Sequence, residues 1–133
     1  MAISFDHALG IHVQTLQVRG RRTELLAENL ANADTPQYKA KDFDFKQVMK
    51  HLQGGQSSSM LATSHAGHIS LDRGPIPQHL EQYRTPLQPS MDGNTVDSHI
   101  EKSEFARNTL QMQATLRFLN GKFSGMKKAL KGD

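Results

Sequence analysis

Apolar residues along this chain fall into two long periodic stretches separated by a middle with no sustained period. From about Ser4 to Ala33, the positions Leu9, Val13, Leu16, Ala27 and Leu30 keep an alternating four–three spacing, with Gly20 and Thr23 at the intervening seam positions. That spacing predicts a helix. At ~1.5 Å per residue, a helix of roughly 28 residues is about 42 Å long. The small residues Gly20, Thr23, Ala27, Ala31 and Ala33 allow another helix to come close over its second half. Near the other terminus, "DGNTVD" (92–97) predicts a turn at Asp92-Gly93 and a helix cap at Asn94. Asp97 falls in the first turn, where a carboxylate suits the helix dipole. Phe105, Thr109, Met112, Leu116, Leu119, Phe123, Met126 and Leu130 then alternate in the same way, and Lys127, Lys128 and Lys131 sit at the end that favours cations.

Between the stretches, Gln53 to Met91 opens with "GGQSSS" and carries the string "GPIPQHLEQYRTPLQPS". Its apolar residues keep no period, which predicts a long loop or a poorly ordered segment. The first helix leaves through "ENLANADTPQYKAKDFDF" (28–45). Pro36 has no N–H with which to continue a helix and pushes Thr35 out of helical geometry. Asn29 and Asn32 stand where short amides bond loose carbonyls, and Tyr38 follows as an anchor. Phe45, Val48, Met49 and Leu52 then give a short amphipathic helix with Asp42 as its expected cap.

The expected fold is therefore all-α. Two long N- and C-terminal helices pack as an antiparallel hairpin or coiled coil, with a short helix after a Pro corner and a poorly ordered middle. The expected segments are 1–52 (helix, corner and short helix), 53–93 (variable loop) and 94–133 (C-terminal helix). With 36% hydrophobic and 6% aromatic residues and no Trp, core material is thin for 133 residues. Two remedies are open: a compact bundle closed by the middle segment, or neighbouring copies that complete the core as in a helical polymer.

Composition narrows the chemistry further. A net charge of +3 calls for no nucleic-acid partner. The absence of cysteine excludes disulfides, thiol nucleophiles and Cys-based metal sites. "MAISFDHALGIHVQTLQVRG" has neither a basic n-region nor a continuous apolar run, so no Sec signal peptide and no membrane span is expected there.

"NLANADTPQYKAKDF" resembles the N-terminal signature of bacterial flagellar rod and hook proteins, whose pattern runs N-x-A-N-x-x-T-P-G-Y-K. Asn29, Ala31, Asn32, Thr35, Pro36, Tyr38 and Lys39 match it, while Gln37 stands where the pattern has Gly. A Gly there suits a type II turn, whereas Gln fits a type I turn more easily. "MDGNTVDSHIEKSEFARNTLQMQATLRFLNGKF" is similar to the family's C-terminal helix, particularly that of its proximal-rod member. The likeness covers about 80 residues at the two ends. It implies a structural subunit of the flagellar basal body that packs with copies of itself and other rod proteins into a tube crossing the periplasm. It also implies type III export without a Sec signal, and contacts with the membrane-ring adaptor protein at the rod base and with the export gate. Phe105, Met112, Leu116, Leu119, Phe123 and Met126 are the expected assembly seam. "FKQVM" has the Phe-x-x-x-apolar spacing of the family's gate-docking motif at Phe45 and Met49; a plain amphipathic turn explains it equally well.

Other chemistry is thinly supported. His7, His12, His65 and His68 lack the Cys or carboxylate company of a metal site. Arg19, Arg21 and Arg22 come without interleaved aromatics, which favours a solvated face or subunit salt bridges over nucleic acid. The alternatives to a proximal-rod subunit are another rod member or a basic helical nucleic-acid-binding protein. G-x-S-x-G, H-E-x-x-H and phosphate-loop patterns are absent. Neither an enzyme, a cofactor nor a small-molecule substrate is expected.

Overall fold

The computed structural model describes residues 9–53 and 80–132. The elements run α1 (Ile11–Ala31), β1 (Lys41–Asp42), α2 (Phe45–Gln53), β2 (Gln82–Tyr83) and α3 (Ser98–Lys131). α1 and α3 are antiparallel. Asn29 meets Glu101, Arg22 meets Glu104, Thr23 meets Asn108, and the His12 ring stacks on Phe118 with centroids 5.8 Å apart. The long-helix hairpin expected from the periodicity is present. No helix among the described residues is long and apolar enough to cross a membrane.

What fills the hairpin differs from the expected apolar seam. On α3 the buried residues are Glu101, Asn108, Thr115 and Leu119. The first three recur every seven residues, so one helical stripe holds them against α1. Asn108 makes the contact workable: its Nδ2 donates to the Arg19 carbonyl (3.0 Å) and to Thr23 Oγ1 (2.9 Å). The Arg19 guanidinium donates to Gln111 Oε1 at 2.6 Å. A polar side chain is tolerated in a helix contact when its groups are paired. On α1, Val18, Leu25, Leu26 and Asn29 are buried; Ala27, expected in the seam, is exposed. α1 therefore packs on two fronts, α3 on one side and the short elements on another.

The apolar core gathers on that second front. Val18, Leu25, Phe43, Val48 and Met49 form it, with Phe45, Leu52 and Leu80 packed at its edge. Asp44, and not Asp42, caps α2: its Oδ1 accepts from the Lys46 N–H at 2.8 Å. Asp97, and not Asn94, caps α3, accepting from the His99 and Ile100 N–H groups at 2.9 and 3.2 Å. In both places the carboxylate directly beside the first helical turn wins, because only it reaches the free N–H groups. From the expected loop, Leu80 joins the core, and Gln82–Tyr83 pairs antiparallel with Lys41–Asp42.

Candidate assembly site: the corner and the helix seam

Leaving α1, the chain must bury polar backbone in a tight bend, and each group needs a partner. Asn29 is fully buried and supplies four. Its Oδ1 accepts from the Lys41 N–H (3.0 Å) and the Tyr38 hydroxyl (3.3 Å). Its Nδ2 donates to the Lys41 carbonyl (2.8 Å) and to Glu101 Oε2 (3.2 Å). Burial, with Glu28 and Glu101 nearby, pushes the Tyr38 hydroxyl above its usual range and keeps it a donor. Asn32 Nδ2 donates to the Glu28 carbonyl at 2.8 Å, and its Oδ1 accepts from the Thr35 hydroxyl at 3.1 Å. Ala31 is exposed at the end of α1.

The rest of the corner is closed from the far end of the chain. Asn94 Nδ2 donates to the carbonyls of Asn32 (3.0 Å), Ala33 (2.7 Å) and Thr35 (3.0 Å). Two of these carbonyls also accept main-chain bonds, Asn32 from the Thr35 N–H and Thr35 from the Tyr38 N–H, so Asn94 ties down a turn that is itself hydrogen-bonded. The Gln37 N–H donates to the Asp92 carbonyl, the Thr95 N–H to the Tyr38 carbonyl, and Lys39 Nζ to the Gly93 carbonyl. "TPQYK" and "DGNTVD" therefore form one unit. Thr35 to Tyr38 is a turn closed by the Tyr38 N–H on the Thr35 carbonyl at 3.3 Å. Gln37 has φ 61°, the geometry of a type II turn. Gln37 thus adopts the turn that a glycine suits, although glutamine fits a type I turn more easily, because the bonds to residues 92–95 fix that backbone.

A charge cluster locks the corner onto both helices. Arg22 binds Asp42 through two nitrogens (3.0 and 2.9 Å) and reaches Glu104 at 3.2 Å. Arg84 binds Asp42 at 2.6 Å and also pairs with Glu101, which is 1% exposed. Burial pushes the Asp42 carboxyl up, but the guanidiniums of Arg22 and Arg84 and the Phe43 N–H bring it below its usual range. For Glu101, burial prevails over Arg84 and Asn29, and the carboxyl lies above its usual range.

Arg21 pairs with Glu24 and Glu81, and the Arg19 guanidinium lies 4.2 Å over the Phe45 ring. The three arginines of "RGRR" are therefore bound within the chain, which corrects the expected solvated face or subunit bridges. No group of three or more His, Asp or Glu that could hold a metal is present among the described residues; His7, His65 and His68 lie outside them.

The structure places the C-terminal stripe beside the α1 contact. Leu119 is buried; Phe105, Met112 and Met126 are half-buried; Leu116 and Phe123 are 40% and 49% exposed. Of the FKQVM pair, Met49 is in the core and Phe45 is half-buried at its edge. The sequence pattern gives Asp42 and Asn94 capping roles in place of the corner contacts they make, and does not single out Arg84 or Glu101. The seven-residue recurrence of Glu101, Asn108 and Thr115 is a sequence signal for the last of these; the other three make long-range contacts with no local signature.

No protein-family model matches the chain. The chain is 51% identical, over its whole length and 99% of the relative's, to the flagellar basal body rod protein FlgB of Aeromonas hydrophila. It is 43% identical to the FlgB of Cereibacter sphaeroides across 97% of this chain and 98% of that one. Against the Escherichia coli FlgB the identity is 42%, across 98% and 97%. With likeness of that extent, carried through both the corner and the long helices, the chain belongs to the FlgB family of flagellar basal body rod proteins.

Proposed function

We propose that this chain is a subunit of the proximal rod that assembles with copies of itself and other rod proteins into the periplasm-spanning drive shaft after type III export. Its family makes it a structural component of the basal body rod and not an enzyme. The finer reading is carried by one observation: the four–three apolar stripe of α3 lies beside the α1 contact, with Leu116 and Phe123 open to solvent. A helix whose contact face is satisfied by α1 and whose apolar stripe is left partly open to solvent is built to meet a further neighbour. The corner sets the angle at which α1 and the short elements leave that pair. At the base of the rod the subunit meets the membrane-ring adaptor protein and the export gate. Because Phe45 and Met49 are packed in the folded chain, a gate that docks on them meets the chain before it folds.

Deleting the gene should leave cells without flagella, and the wild-type chain should restore them. Flagellated deletion cells would refute the rod reading. Phe45→Ala tests the gate contact: the protein should accumulate in the cytoplasm. Export at wild-type levels assigns Phe45 to packing only.

A further inference from the structure

We infer that the distal half of α3, with the start of α1 beside it, docks on the surface of an anionic phospholipid bilayer, a property that goes beyond a place in the rod. The charges of the chain are sorted by end. Between Glu104 and Lys131, α3 carries no carboxylate. The described part of α1 has none before Glu24, and its start lies against this half of α3, where His12 stacks on Phe118. Over the same stretch α3 presents Arg117, Lys122, Lys127, Lys128 and Lys131, all exposed and none in an ion pair among the described residues. The described carboxylates, from Glu24 and Glu28 to Asp97, Glu101 and Glu104, gather in the corner half. There Arg21, Arg22, Arg84 and Arg107 are each paired. The helix dipole accounts for Lys128 and Lys131 in the last turn, but it fades within a turn and leaves Arg117 and Lys122 unexplained. An anionic surface turns a chain sorted in this way basic end first.

Apolar side chains share the basic end. Ile11 and Phe118 are exposed there, and Phe123 and Leu130 are 49% and 89% exposed. Phe123 and Leu130 stand seven residues apart, so they lie on one stripe of α3. At about 100° per residue, Lys127 borders that stripe on one side and Lys122 on the other. Long cationic side chains on both edges reach phosphate headgroups while the stripe rests at the acyl boundary. A basic amphipathic helix of this kind lies on a bilayer without crossing it. A nucleic acid would also satisfy the cations, but its phosphates leave Leu130 nothing to be buried in.

The chain has no tryptophan, so one introduced Trp reports a single place. Leu130→Trp and Leu87→Trp replace two similarly exposed leucines at opposite ends of the molecule. In the full-length protein, vesicles containing phosphatidylglycerol should shift the Leu130→Trp emission to the blue and leave Leu87→Trp unchanged. Pure phosphatidylcholine vesicles should shift neither, and added salt should weaken the binding. On the Leu130→Trp background, each charge removed from the basic end should weaken vesicle binding about fivefold, so Lys122→Gln with Lys127→Gln should weaken it about twenty-five-fold. Lys46→Gln with Lys102→Gln removes the same charge elsewhere and should change little. All four lysines are exposed, so both variants should keep the wild-type circular dichroism. No shift of Leu130→Trp, equal shifts at both tryptophans, equal binding to phosphatidylcholine, or equal loss from the two lysine pairs overturns the inference. So does a response of Leu130→Trp to duplex DNA and not to vesicles, which would make this a nucleic-acid face.

Discussion

Asn29→Ala should be among the most damaging single changes in the folded chain. The side chain is fully buried and makes four hydrogen bonds, to Lys41 N–H, Lys41 C=O, the Tyr38 hydroxyl and Glu101. Alanine leaves both main-chain groups of Lys41 without partners, at about 1 kcal/mol each because that residue is only half-buried. Glu101 loses a hydrogen bond to a charged oxygen, a further ~1.5–3 kcal/mol. The sum of about 3.5–5 kcal/mol is a large part of the ~5–15 kcal/mol that holds a typical domain folded. Urea unfolding followed by circular dichroism measures it as a fall in midpoint at unchanged slope. Asn32→Ala is the control: its bonds to the Glu28 carbonyl and the Thr35 hydroxyl are exposed, so it should cost about 1 kcal/mol. A loss below about 1 kcal/mol for Asn29→Ala would show that the corner is not what joins the helices.

Asn94→Ala removes the donor shared by three carbonyls and should lower stability by about 2 kcal/mol, read in the same urea titration. Gln37→Gly relieves a positive φ and should raise the melting temperature, whereas Gln37→Ala should not. Leu116→Asp and Phe123→Asp fall on exposed sites, so the isolated chain should melt normally while motility complementation fails; Arg117→Ala should swim like wild type. Stability should also depend on pH in two limbs. Asp42 titrates lower when folded, so its contribution is present above the ordinary carboxylate range and is lost as pH falls through its folded value. Glu101 titrates higher when folded, so its protonation on mild acidification favours the folded state, and Glu101→Gln should flatten that upper limb.

Periodicity made the two long helices, the Pro corner and the amphipathic α2 legible in the sequence. Pro36 and the spacing of Phe45, Val48, Met49 and Leu52 act locally, and local constraints survive into the fold. The seam between the helices was not legible in the same way, because apolar periodicity marks what avoids water, not which neighbour covers it. α1 meets α3 through Asn108, Thr23 and Arg19, whose pairing is visible only once residues some 85–92 apart are brought together. The caps moved for a related reason. Asp42 and Asn94 have the chemistry of N-caps, but long-range partners claim them, and Asp44 and Asp97 take the places nearest the free N–H groups. Within the corner, the motif residues were identified by likeness, while their division into side-chain anchors and exposed turn residues required the coordinates.

The two ends of the segment 54–79 are held on one apolar cluster, Leu52 on one side and Leu80 on the other. Because both ends are anchored there, a change in the number of residues joining them adds a closure cost that grows only slowly with length. Doubling that number costs about 0.6 kcal/mol, less than losing one of the corner's hydrogen bonds. Evolution can therefore lengthen, shorten or replace the insert with little effect on the helices. The same pinned base that serves a short subunit could carry an entire extra domain on a longer one.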